Sequence, residues 1–390
     1  MNPSASGWIK KLLKDVSKND TYLKVPLNTF YLDLKLCGYI YGNNIEVVGH
    51  VFNKQDWTEE ELCKVNHLLA LFYIHQSKSP QTNFVESVIQ FYNTIENYKE
   101  SFMEGILGKK QPSALLENII HKRIHIDDNL ITKNFNYFIT NALLFIDVLA
   151  YQKYMSVNSI SDNYLKKIEL IVETIALSVL EIKVQKTTYD KGLIKLFESS
   201  LRYQYTQNKS YIDIIKLIKR PLEKYYTVDI ACMASWTDKQ IDYKELEFLK
   251  QLGLDLKLKS TIIENSINDI NLFYLTNKAQ IALLTKKNMA QSFYDNSSKM
   301  VVKLINRNSK RLIKELRESK ELMFLLTKST SRNLTEEEQK KVHDQLLDVI
   351  KSIPSLAILM LPGGTVLLPL FVKFIPKLLP SSFDENRIED

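Results

Sequence analysis

Scarcity is the first property of this sequence. Its 390 residues include only ten glycines, ten prolines and three cysteines. Glycine and proline stand at about half their usual share, and both interrupt helices and populate turns, so a mainly α-helical chain is expected. Cys37, Cys63 and Cys232 are far apart and odd in number, which fits neither a disulfide framework nor a CxxC metal site and points to a reducing compartment. No HExxH, GxSxG, Walker loop or GxGxxG occurs, so the compact catalytic signatures are missing, and neither an enzyme nor a cofactor is expected. Residues 1–19 lack the continuous apolar run of a secretion signal, and no export is implied.

What is present is ordinary for a globular chain: 45% hydrophobic and 25% charged residues. That balance excludes a wholly disordered, collagen-like or polytopic chain. The length accommodates two or three units. The patterns suggest residues 1–125 as a mostly helical unit, 126–333 as a longer helical region, and 334–390 as a distinct end. In the first unit, Trp8, Ile9, Leu12, Leu13 and Val16 form an apolar stripe beside Lys10, Lys11, Lys14 and Lys18. Two readings stand: a helix docked on the protein's own core, or one resting on an anionic membrane. Runs of β-branched and aromatic residues on either side of Gly42-Asn43-Asn44 predict a small β-hairpin. Thr58 with Glu61 forms a capping box opening a helix, Pro80 begins another, and Asp128 caps a third. His121 and His125 with Asp127 and Asp128, and Cys63 with His67 and His75, have metal-ligand spacing. Lys122 and Arg123 oppose a cation at the first, and packing on an apolar helix face accounts for the second.

Positive charge is concentrated. Residues 286–317 hold nine Lys or Arg against Asp295 and Glu315, a local excess equal to the +7 of the entire chain. Lys303, Arg307, Lys310, Arg311, Lys314 and Arg317 recur at the spacing of one helix side. That side is either a solvated face or a contact for RNA phosphate or anionic lipid. Only Phe293 and Tyr294 offer bases a stacking partner there, which disfavours sequence-specific single-strand RNA binding; DNA is not among the expected partners.

Residues 230–249 resemble the helix-turn-helix entrance of the tellurite-resistance-B-like helical domain through Asp238, Ile241, Asp242 and Glu245, with Lys239 in place of the usual glycine; the related segment spans about 226–285. An EF-hand register would put Ala234 and Trp236 where the first carboxylates belong, so that route to calcium is disfavoured. Asp242 and Glu245 instead suit a capping box, with an acidic metal patch of Asp238, Asp242 and Glu245 as the other reading.

At the carboxyl end, Thr335 and Glu338 make a further capping box. Beyond it, 21 uncharged positions, 352–372, include twelve Ile, Leu, Met, Val or Phe. The run is long enough to cross a bilayer, and those twelve residues favour insertion by about 4 to 7 kcal/mol. Pro354, Pro362, Gly363, Gly364 and Pro369 interrupt it and offset that gain. It therefore reads either as a kinked or re-entrant anchor with Lys373 and Lys377 snorkelling, or as two short helices packed on the protein itself.

Ile353-Pro354, Pro362-Gly363-Gly364, Leu367-Leu368-Pro369, Lys373-Phe374-Ile375-Pro376 and Leu379-Pro380-Ser381-Ser382-Phe383 closely resemble the membrane-anchor core of the LETM family, leucine-zipper EF-hand-containing transmembrane proteins. The arrangement looks like the bacterial LETM-related, biofilm-associated group. The resemblance implies a Pro/Gly-broken hydrophobic helical anchor, ribosome contact and a place at the cytoplasmic face of a bacterial inner membrane, beside anionic lipid. Homo-oligomers are compatible with it. Only seven residues follow Phe383, so ribosome contact would fall to the basic window. The family also implies cation/proton homeostasis, for which 352–372 offers only Ser352, Ser355 and Thr365 as polar groups. A soluble stress-response or metal-sensing module is the third reading.

Overall fold

The computed structural model describes residues 1–18, 21–52, 57–95, 111–124, 143–186, 190–191, 194, 211–236, 241–277, 289–332, 334–353, 356 and 368–378. Among these residues the fold is mainly α-helical and contains no strand. The helices are α1 (Trp8–Val16), α2 (Leu27–Leu36), α3 (Glu59–Lys78), α4 (Phe84–Thr94), α5 (Pro112–Ile124), α6 (Phe145–Val157), α7 (Asp162–Ile182) and α8 (Tyr211–Leu217). They continue as α9 (Pro221–Ser235), α10 (Tyr243–Asp255), α11 (Ser260–Thr276), α12 (Met289–Glu318), α13 (Lys320–Ser331), α14 (Glu336–Ser352) and α15 (Leu368–Leu378).

The centre of the amino-terminal half is α3, opened by the Thr58–Glu61 capping box. It is buried almost all round, from Leu62 to His75, because α4, α5 and α6 surround it. Burying that helix brings polar groups inside, where they pair with one another. Arg123 Nε and Nη2 donate to Asp147 Oδ2 and Oδ1 at 2.8 and 2.7 Å, and Tyr92 donates to Asp147 at 2.9 Å. His67 lies 2.6 Å from the Tyr39 hydroxyl through Nδ1 and 3.0 Å from that of Tyr92 through Nε2. Since Tyr92 donates to Asp147, its oxygen accepts from Nε2–H, which leaves Nδ1 to accept from Tyr39. Burial lowers the His67 pKa to about 4, against the pull of Asp147 and with the help of Arg123, so the ring is neutral at pH 7. A second buried knot joins α2, α9 and α11: Lys35 Nζ lies 3.0 Å from Asp229 and 2.6 Å from Asp269, while Tyr31 donates to Asp229.

The helix α1 docks on α5, with Trp8, Ile9, Leu12 and Val16 buried and Lys10, Lys11, Lys14 and the following Lys18 exposed. Glu117 of α5 accepts from the Gly7 and Ile9 amides at 3.0 and 3.1 Å, closing the otherwise open end of α1. Its apolar stripe is therefore spent on the core rather than on a membrane.

The hairpin expected around Gly42 does not form. Tyr39, Ile40 and Tyr41 are all buried, so the alternation of a half-buried strand is absent, and the chain runs through successive turns. Gly38 permits this with a φ of +83°; a Cβ there would meet the Asn43 carbonyl oxygen at 1.8 Å. The loop's polar groups pair with a side chain instead of a strand: Asn66 accepts from the Val48 amide and donates to Asn44 Oδ1 and the Glu46 carbonyl, each at 2.9 Å. Pro80 likewise sits in a turn, and α4 begins at Phe84 with Asn83 as its cap.

Cys63, His67 and His75 are buried in packing, and among the described residues no group of three or more side chains suits a metal ion. His121 is exposed on α5, whereas His125, Asp127 and Asp128 lie outside the described residues.

Candidate functional site

The basic window folds as part of α12, and its local sequence explains its orientation. Val301, Leu304, Ile305, Asn308, Leu312 and Leu316 recur at three or four residues and are buried. The intervening Lys310, Arg311, Lys314 and Arg317 are exposed. Lys303 and Arg307 lie on the same helix, with side chains outside the described residues. Among the described residues none of the four exposed cations has an ion-pair partner. Asn308, buried on the apolar side, is satisfied by donating to the Leu304 carbonyl at 2.7 Å.

Against this apolar side packs α15, which also contacts α13. Leu370, Phe371 and Ile375 of α15 are buried, and Lys373 is exposed with Nζ 5.6 Å from the Phe374 ring centre. Pro369 occupies the first turn of α15, where its missing amide proton has no intrahelical partner to lose, and Pro376 falls in the last turn. Lys377 lies in the last turn of the same helix. Pro354, Pro362, Gly363, Gly364 and Pro380 lie outside the described residues. The described part of the expected anchor is thus an 11-residue helix packed on its neighbours. At 1.5 Å per residue it reaches about 16 Å, roughly half a bilayer core. No described helix is long and apolar enough to cross a membrane.

Between α13 and α14 the contacts are polar at the rim and apolar within. Ser319 caps α13 and donates to Gln345 at 2.8 Å; Glu321 accepts from Lys341 and Gln345 at 2.9 and 2.8 Å. Glu338 closes the capping box of α14 and accepts from Lys328 and Arg332 at 2.7 and 2.8 Å. The Arg332 guanidinium, then the Lys328 ammonium, hold its carboxyl well below the usual range. Inside, His343 is buried beside Val342 and Leu346, and burial lowers its pKa to about 4, against the pull of Asp344. Extensive contacts of α12 to α15 are with one another, so the basic face and the proline-rich end share one packed unit.

One candidate escaped the sequence reading. Phe324 on α13 is 63% exposed, with Lys328 Nζ 5.4 Å from its ring centre. The signal was present: Leu322, Leu325 and Leu326 carry the buried pattern of this helix and Phe324 falls off it.

The acidic trio does not come together as a described cluster. Asp238 lies outside the described residues. Asp242 accepts from the Glu245 amide at 2.9 Å and, through its other oxygen, from the Val184 amide at 2.9 Å. Glu245 accepts from the Asp242 amide and lies 3.7 Å from Lys183. Despite some desolvation, the amide bonds from Val184 and Glu245 keep the Asp242 carboxyl below its ordinary range. These two carboxylates cap α10 and tie it to the end of α7.

Residues 334–390, which include α14 and α15, match the family model described as LETM1-like, RBD, a ribosome-binding domain. No curated protein and no solved structure matches the chain.

Proposed function

We propose that the chain is a non-enzymatic LETM-related protein that binds ribosomes through the α12 to α15 unit and does so at the cytoplasmic face of a bacterial inner membrane. The observation that carries this reading is the row of exposed, ion-pair-free cations on α12, held in place by the same α15 that belongs to the matched segment. Lys310, Arg311, Lys314 and Arg317 each present a charge that needs no existing bond broken before it meets a phosphate. Such contacts supply affinity through counter-ion release and carry little sequence preference. Phe324 and Lys328 extend the surface onto α13 with an aromatic face that a splayed base would stack on. Membrane contact in this reading is peripheral, by cations against anionic head groups at about 1 kcal/mol each.

Ribosome co-sedimentation tests it. Wild type is expected in the ribosome pellet at about 50 mM salt and largely released near 200 mM. The Lys310→Gln, Arg311→Gln, Lys314→Gln, Arg317→Gln variant should bind more weakly with a flatter salt dependence. Binding that ignores both salt and these four charges would remove α12 from the mechanism.

A further inference from the structure

A second cationic site lies far from α12 in sequence, where α6, α7 and the start of α9 converge on Tyr164. The Lys153 ammonium of α6 sits 4.3 Å from the centre of that ring, and the Lys167 ammonium of α7 sits 5.4 Å from it. Beneath the ring, Tyr164 donates from its hydroxyl to Glu223 Oε1 at 2.8 Å. The other oxygen of Glu223 accepts from the Lys219 and Arg220 amides at 2.9 and 3.0 Å, which fixes those two residues at the same place.

Charge is badly unbalanced there. Desolvation lowers the Lys167 pKa, Glu223 alone raises it, and Lys153, Arg220 and Lys219 each lower it further. Glu223 is buried and already accepts three hydrogen bonds, and it occupies the amino end of α9, so that helix end is not the source of the attraction. Among the described residues none of the four cations has an ion-pair partner. Ring contacts return only about 0.5–1 kcal/mol to a cation and do not cancel like-charge repulsion. An unpaired surface lysine ordinarily swings into water; here Lys153 and Lys167 lie half-buried against one aromatic ring, and the half-buried Arg220 is near enough for its charge to act on Tyr164 and Lys167.

We propose that Lys153, Lys167, Lys219 and Arg220 form a binding site for a small soluble anion carrying more than one negative charge, a phosphomonoester or a pyrophosphate group. Cations from three separate segments suit an anion that spans them, and Arg220 supplies the forked donor that phosphate oxygens accept. Three half-buried cations, two of them against one ring, favour a compact anion over the flat face of a bilayer. Occupancy would lock α6, α7 and α9 together, since each contributes at least one ligand or fixes its position.

Thermal unfolding and calorimetric titration of the full chain test the site, with inorganic pyrophosphate as the probe and sodium chloride of equal ionic strength as the control. Wild type is expected to gain a saturable rise in Tm with pyrophosphate and none with chloride. The Lys153→Gln, Lys167→Gln variant should lose about tenfold or more in affinity, yet melt no lower than wild type without the anion, because its repulsion has been relieved. Lys314→Gln on α12 should bind pyrophosphate as wild type does, which separates this site from the proposed ribosome surface. Phosphatidylglycerol vesicles should not compete with pyrophosphate. Equal binding by the double variant, a chloride effect as large as that of pyrophosphate, or displacement by the vesicles would each overturn the assignment.

Discussion

Single buried side chains decide most of the energetics that can be tested here. The Arg123–Asp147 pair is about 1% exposed on either side, and Asp147 also anchors Tyr92. Replacing Arg123 by Met leaves a carboxylate without its cation in a dry interior, and a loss of roughly 3–5 kcal/mol is expected, read as a lower urea midpoint at unchanged slope. His343 makes a different prediction. Its folded pKa, about 4, lies below the ordinary 6.5, so the unfolded chain takes up the proton first as pH falls. The stability it permits is complete above pH 6.5 and declines between there and about 4, by up to roughly 3 kcal/mol. In His343→Leu the fall in Tm over that window should be smaller, while Tm at pH 7 stays level or rises, since Nε2 has no hydrogen-bond partner to lose. His67 shares the same window and will leave a residual slope in that variant.

Helix starts were the most legible elements. Thr58, Asp242 and Thr335 were each readable as caps because a capping box needs only two residues three apart, and all three form. Features that depend on a distant partner were not readable. Tyr39-Ile40-Tyr41 has strand-like composition, yet all three residues are buried, Tyr39 against His67 of α3 and Tyr41 against Phe273 and Tyr274 of α11, and Asn66 of α3 satisfies the loop. The cap of α1 is the extreme case, since Glu117 stands 110 positions from Gly7. Glu117→Ala removes two bonds to a carboxylate and should cost about 2 kcal/mol, with the amides of residues 7–16 exchanging faster while those of α3 are unchanged. Thr335→Ala should cost about 1 kcal/mol by loss of one cap bond, measurable as a shift in Tm. The cations of α12 were legible from spacing; that Lys310, Arg311, Lys314 and Arg317 lack ion-pair partners among the described residues, and that Phe324 is exposed beside Lys328, required the packed helices.

At the scale of the molecule, the open choice in the sequence was whether the apolar carboxyl end faces lipid or protein. For α15 the packing gives a physical answer: Leu370, Phe371 and Ile375 are already buried against α12 and α13. Withdrawing them would forfeit about 1.5–3 kcal/mol each. That loss, roughly 5–9 kcal/mol for α15 alone, is comparable to the 4–7 kcal/mol that insertion of the whole apolar run would return. The chain therefore gains little by trading one partner for the other, and peripheral attachment through cations becomes the cheaper route to a membrane. Fractionated cells should show the protein in the membrane pellet at low salt and in the supernatant after alkaline carbonate or about 1 M salt, where the screening length falls to about 3 Å. Retention in the carbonate-washed pellet would mean that α15 leaves its protein contacts and inserts, and the peripheral part of the proposed function would fall with it.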